Sequence, residues 1–146
     1  MIMSDAVLRL EAAALGVPQV DCPVQHYFAP GLFAREISIP AGTVVVGAMH
    51  KTQNIVIVSK GRLRMVTDGG VKEVCAGETF IVQPGVKNAV VAIEDSRWTN
   101  IMHNPGNETD IEVLAEVFTH SKACELLGGS QNKQLLAAAE LQKVEA

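Results

Sequence analysis

The sequence predicts an all-β fold, an antiparallel jelly-roll barrel with short N-terminal and C-terminal helices, and two observations carry that prediction. From Leu32 to His103 the chain breaks into eight short runs of apolar or alternating residues, the signature of strands. Between them stand turn-forming groups: Pro40-Ala41-Gly42, Lys60-Gly61, Asp68-Gly69-Gly70, Ala76-Gly77, Pro84-Gly85 and Glu94-Asp95. Strands at this spacing suit an antiparallel sandwich or small barrel, not alternating β and α units.

The runs are Leu32 to Ile39, Thr43 to Met49, Asn54 to Ser59, Arg62 to Thr67, Val71 to Cys75, Thr79 to Gln83, Ala89 to Ile93 and Arg97 to His103. Before them, Ser4 precedes Asp5 to Leu15 and Gly16-Val17-Pro18 follows, so a capping hydroxyl, an acidic first turn and a glycine stop define a short helix. Three turns are marginal alone in water, so the helix must dock, on its own barrel or on a neighbouring subunit. Pro18, Pro23 and Pro30 then hold residues 17–31 as an extended arm. After the barrel, Thr109 and Glu112 form a capping-box signature ahead of Ile111, Leu114, Ala115 and Phe118, which predicts a helix from about Asp110 to Phe118, with a strand from Glu112 to Phe118 as the alternative. A helical turn ending at Gly128-Gly129 and a last amphipathic helix with Leu135, Leu136, Ala139 and Val144 complete the chain. This is one domain overall, with an N-terminal helix and arm (1–31), a barrel core (32–103) and a helical extension (104–146).

Composition narrows the function classes. A hydrophobic content of 48% with 19% charged residues supports a packed core and excludes global disorder. A net charge of −4 gives no general attraction for nucleic acid or an anionic membrane. The chain has neither a signal-peptide pattern nor an apolar stretch of membrane-spanning length, so production in the cytosol is expected. Cys22, Cys75 and Cys124 are odd in number and widely spaced, which predicts reduced, small apolar fillers.

Two glycine-framed segments carry the functional clue: Gly42-(x)7-His50-(x)3-Asn54-(x)6-Gly61 and Gly77-(x)6-Pro84-Gly85-(x)2-Asn88. Their spacing resembles the cupin superfamily, whose first motif runs glycine, two histidines one residue apart, a glutamate and a closing glycine, and whose second places a histidine after a Pro-Gly turn. The resemblance puts the ligand places on Ala48, His50, Asn54 and Asn88. Ala48 has no donor, carboxamides are weak neutral ligands, and one imidazole with amides makes a poor site for Zn, Fe or Mn. No metal and no cofactor are expected, and His50 is read as a hydrogen-bonded residue at the barrel end.

Other chemistry has ordinary explanations. His26, in the arm, and His103, on the last strand, have no partner at a chelating interval, and His120 sits at a helix boundary. There is no Gly-x-Ser-x-Gly elbow, and Gly61 and Gly69-Gly70 read as turns, not a phosphate loop. Lys60, Arg62 and Arg64 read as a solvated strand face, and Trp98 as a core anchor.

The stretch Phe33 to Thr43, with His50-Lys51-Thr52 and Ser59-Lys60-Gly61-Arg62, is similar to small cupin-like proteins of tailed bacteriophages. A ligand-poor barrel with apolar arms then implies a non-catalytic capsid decoration, or cement, protein on the virion surface. Its partners would be the major capsid protein and itself, as a homodimer or higher oligomer, after production in the bacterial cytoplasm. The contact residues expected from amphipathicity are Val7, Leu8 and Leu10, Tyr27 and Phe28 in the arm, and Leu135 and Leu136. The alternative is a cytoplasmic metal-dependent or ligand-binding cupin, an enzyme or binder acting on a small molecule or sugar through His50, Asn54, Asn88 and His103, and a third possibility is a regulatory or host-interaction module in the infected cell.

Overall fold

Apolar alternation and turn chemistry produce ten strands and one complete helix among the described residues, which are 7, 9, 10, 12, 13, 20–47, 50–67, 69–86, 88–118 and 133–135 of this computed structural model. The strands are β1 (Val24–Ala29), β2 (Leu32–Ile39), β3 (Thr43–Val46), β4 (Asn54–Lys60), β5 (Arg62–Thr67), β6 (Gly70–Cys75), β7 (Thr79–Val82), β8 (Ala89–Ala92), β9 (Ser96–His103) and β10 (Lys133–Leu135), and the helix is α1 (Ile111–Phe118). All pairings are antiparallel. Sheet one has the order β1-β2-β9-β4-β7 and sheet two the order β10-β3-β8-β5-β6. Apart from the β1–β2 and β5–β6 hairpins, each step from β2 to β9 crosses to the opposite sheet, which is the connectivity of a jelly roll.

The eight expected strands of the core are present. Two elements differ from expectation. The proline-bounded arm contains a strand, β1, which pairs with β2 from Val24↔Ile37 to Ala29↔Leu32. Pro23 and Pro30 stand just outside it, so no ladder donor is lost, and Gly31 at φ 75° completes the turn that Pro30 begins. Residues 133–135, expected in a helix, form β10 on the edge of β3, where they satisfy backbone groups that β3 would otherwise leave open. Helical residues 7, 9, 10, 12 and 13 fall within the expected N-terminal helix. The helical turn expected before Gly128 and the remainder of the expected last helix, Leu136 included, lie outside the described residues.

In sheet two, β3 and β8 are buried on both faces, whereas the edge strand β6 is largely exposed. Inward, Val45, Leu63, Met65, Val74, Val90 and Ala92 meet Ile37, Ile39, Val56, Val58 and Trp98 of sheet one in the barrel core. Outward, Val44, Val46, Val66, Ala89 and Val91 pack against Val7 and Leu10 of the N-terminal helix. That explains the apolar runs at residues 44–46 of β3 and Ala89–Ala92 of β8, every residue of which is buried. Val7 and Leu10, expected at an intermolecular contact, have no exposed surface because their own sheet takes it up. Leu8 lies outside the described residues.

Phe33, Met102, Leu114 and Phe118 form a third cluster, which seats α1 against sheet one. Asp110, not Thr109, caps the helix, its Oδ1 accepting the Glu112 N–H at 2.9 Å. Trp98 is a core anchor as expected, 7% exposed and edge-to-face with Phe80 at 5.4 Å between centroids. The step from β4 to β5 depends on Gly61, whose φ is 82° and whose missing Cβ would fall on Asp95 O and Ser96 Oγ.

Candidate ligand-binding cavity

Strand periodicity places Phe33, Arg35, Ile37 and Ile39 of β2 on the inner face of sheet one, with Trp98, Asn100 and Met102 beside them on β9. These side chains line one wall of a cavity. Val45 and Gly47 at the end of β3, His50, and Val82, Val86, Asn88 and Val90 form the rest, and Leu114 and Phe118 bring α1 across one end. The cavity volume is about 70 Å³. A buried water occupies about 10–15 Å³ on this scale, so the space admits roughly five to seven waters or a ligand of comparable size.

The two glycine-framed segments meet beside this cavity and are stitched together. Gly47 N–H donates to Asn88 O at 2.8 Å, Gly85 N–H to His50 O at 2.9 Å, and Gln53 Nε2 to Gln83 Oε1 at 2.9 Å. Lys51 holds the end of α1 twice: its backbone N–H donates to Phe118 O at 2.8 Å and its Nζ to Glu116 O at 2.6 Å. Cations are favourable at a helix C-terminus, where carbonyls lack intrahelical partners.

The expected ligand positions separate. His50 and Asn88 line the cavity. Asn54 lies in the wall behind it, only 3% exposed, its Oδ1 accepting from Asn100 Nδ2 at 2.7 Å while Asn100 Oδ1 accepts from Trp98 Nε1 at 2.8 Å. The role expected for His50 at the barrel end is only half met, since its backbone carbonyl is bonded but its enclosed Nδ1 has no hydrogen-bond partner. Ala48 lies outside the described residues. His103 is exposed on β9, away from the cavity, and His26 sits on β1 stacked on Phe33 at 5.7 Å between centroids. Tyr27 and Phe28 are exposed at 48% and 43%.

Arg35 is the residue that sequence reasoning missed. Its signal was the strand period itself: in Phe33-Ala34-Arg35-Glu36-Ile37 the arginine shares a face with apolar Phe33, Ile37 and Ile39, whereas Glu36 points the other way. Burial lowers its pKa to about 10, against a smaller opposing effect from Cys22, so it remains cationic at neutral pH. Burial, and secondarily the Arg35 charge, lowers His50 to about 4, leaving it neutral. The same two causes, in the same order, lower His26.

This donor set does not fit the divalent metal that the spacing of the two glycine-framed segments implies. Among the described residues no three His, Cys, Asp or Glu side chains converge. The one imidazole shares its cavity with a guanidinium, which repels a second cation, and the Asn54 carbonyl already accepts a hydrogen bond.

Known structures repeat this architecture. KdgF from a Halomonas species superposes with a TM-score of 0.51 at 18% identity, covering 62% of this chain and 82% of its own. The cupin-2 domain of an XRE-family transcriptional regulator from Enterobacter cloacae gives 0.50 at 16% identity, covering 59% of this chain and 99% of that domain. No family model and no curated protein matches the sequence. Identities this low establish the fold and leave chemistry open. The chain has a cupin-type jelly-roll fold.

Proposed function

We propose that this protein is a non-catalytic binder of a small organic molecule, held in the barrel cavity without a metal. The observation that carries this reading is the cavity itself, a largely apolar space with a few convergent polar groups, Arg35, His50, Asn88 and Asn100. No carboxylate stands among its described lining residues to share proton transfer with His50, which supports binding over turnover. Trp98, the sole tryptophan, lines the cavity and reports on occupancy. Chelator-treated protein should change its Trp98 emission on titration with small neutral aromatics such as benzamide, and Val90→Phe, which fills the space, should abolish the response. Equal responses in the filled variant and the original protein would sink this reading.

A second reading, the capsid decoration protein bridging major-capsid subunits at the virion surface, is supported by exposed Tyr27, Ile55 and Ile81 on the outer face of sheet one. An apolar surface of this kind suits a contact between proteins. Co-sedimentation with an assembled shell at fixed stoichiometry tests it, and its absence from purified particles would exclude it.

A further inference from the structure

We infer that the cavity selects a small neutral aromatic alcohol, a phenol-type ring whose hydroxyl bonds His50. This rests on the reading of the barrel as a small-molecule binder and names the ligand class. Of the polar side chains in the described lining, Arg35, His50, Asn88 and Asn100, two are already engaged within the chain. Arg35 has an interaction partner of its own. Asn100 donates to Asn54 Oδ1 at 2.7 Å and accepts from Trp98 Nε1 at 2.8 Å. His50 and Asn88 are left to meet a guest.

The state of His50 sets the chemistry of that guest. Burial first, and the Arg35 charge second, keep the ring uncharged at neutral pH, and in an uncharged imidazole one nitrogen donates while the other accepts. Nδ1 is enclosed and without a partner, so Nε2 is the nitrogen that His50 can offer to the space. A hydroxyl suits Nε2 in either tautomer, because it both donates and accepts. The Asn88 carboxamide likewise combines donors with an acceptor, and neither group brings a charge that the guest must balance. The walls match an aromatic body: Phe33, Trp98 and Phe118 supply rings and Met102 a thioether, and both kinds of group pack favourably on a further ring. A volume of about 70 Å³ limits that body to a single ring. A sugar, with a hydroxyl on nearly every carbon, would leave most of its polar groups unpaired against these apolar walls.

Phenol and toluene, alike in shape and different in the hydroxyl, test this directly. Metal-free full-length protein and its His50→Leu variant are titrated with each compound by calorimetry. His50→Leu should weaken phenol binding about tenfold or more, as expected when a buried hydroxyl loses its partner, and should leave toluene binding unchanged or tighter. His50→Gln, which keeps a donor and an acceptor, should retain part of the phenol affinity. Equal losses for the two compounds, no loss for phenol, or toluene binding without phenol binding would overturn the inference and leave the binding reading intact. No binding of either compound by the unmodified protein would overturn both. Should His50→Leu fail to fold, the ring-nitrogen resonances of His50 in isotope-labelled unmodified protein decide: phenol should shift them and toluene should not, and any other pattern would overturn the role of His50.

Discussion

The apolar centres of the two outer sheet faces received opposite treatments. Sheet two turns Val44, Val46, Val66, Ala89 and Val91 outward and covers them with the chain's own helix. Sheet one turns outward a row that runs through all five of its strands, Tyr27, Ala34, Ile101, Ile55 and Ile81, and leaves Tyr27, Ile55 and Ile81 exposed at 48%, 43% and 59%. An apolar residue on a strand therefore does not by itself report the core. Burial was decided by whether a neighbouring segment arrived, and the helix preceding the arm went to one side only.

Mutations can break or sharpen that contrast. The largest effect is expected under the covered face: Leu10→Ala should cost about 2–5 kcal/mol in urea unfolding followed by Trp98 emission, as for other buried leucines. A loss below about 0.5 kcal/mol would mean that the helix adds little to the fold. On the inner face of sheet one, Asn100→Ala should cost about 2–4 kcal/mol, because it strips partners from Trp98 Nε1 and the Asn54 carbonyl together, both buried. Asn100→Ala combined with Asn54→Ala should cost less than the sum of the two single changes, since the second removes a group the first had stranded.

A pH titration probes the same inner face. His50 has a folded-state pKa of about 4, below the ordinary 6.5, so between those values the unfolded chain takes up a proton that the folded chain refuses. Stability should be constant above pH 6.5 on this account, fall as pH drops toward 4, and level off below it. The total loss is about 2–3 kcal/mol, from 1.36 kcal/mol per pKa unit with a discount for partial exposure. His26, lowered in the same direction, steepens the slope. His50→Gln should flatten the curve between pH 6.5 and 4, and an unchanged slope would assign the sensitivity elsewhere. The smallest effect belongs to the open face, where Ile81→Thr should shift stability by no more than about 0.5 kcal/mol. A larger loss would show that Ile81 is covered in solution, which analytical ultracentrifugation of both proteins would confirm as a change in oligomeric state.

The fold was largely legible because turn residues and period-two alternation specify strands locally. β2 and β9 alternate, and β4 through β8 are bounded by glycine, proline or acidic turns. β1 was read as an arm because prolines mark extended chain without saying whether a partner lies alongside, although Pro30-Gly31 supplied the turn of a hairpin. β10 was hidden because Leu135 fits a helical stripe as well as an edge strand, and pairing with distant β3 leaves no local trace. At the site, spacing located His50 and Asn88 but put Asn54 on the same footing, whereas the fold commits Asn54 to Asn100. Arg35 was passed over because attention to metal donors selects imidazoles and carboxylates and ignores a cation on an apolar strand face.

Lys51 helps to set the shape of the cavity. With one bond from its main chain and another from its ammonium, it holds the carbonyl end of the short helix whose Leu114 and Phe118 line the space. One exposed side chain thus joins the turn after β3 to the far end of the helix, and the outline of the cavity depends on a residue that is not among its walls.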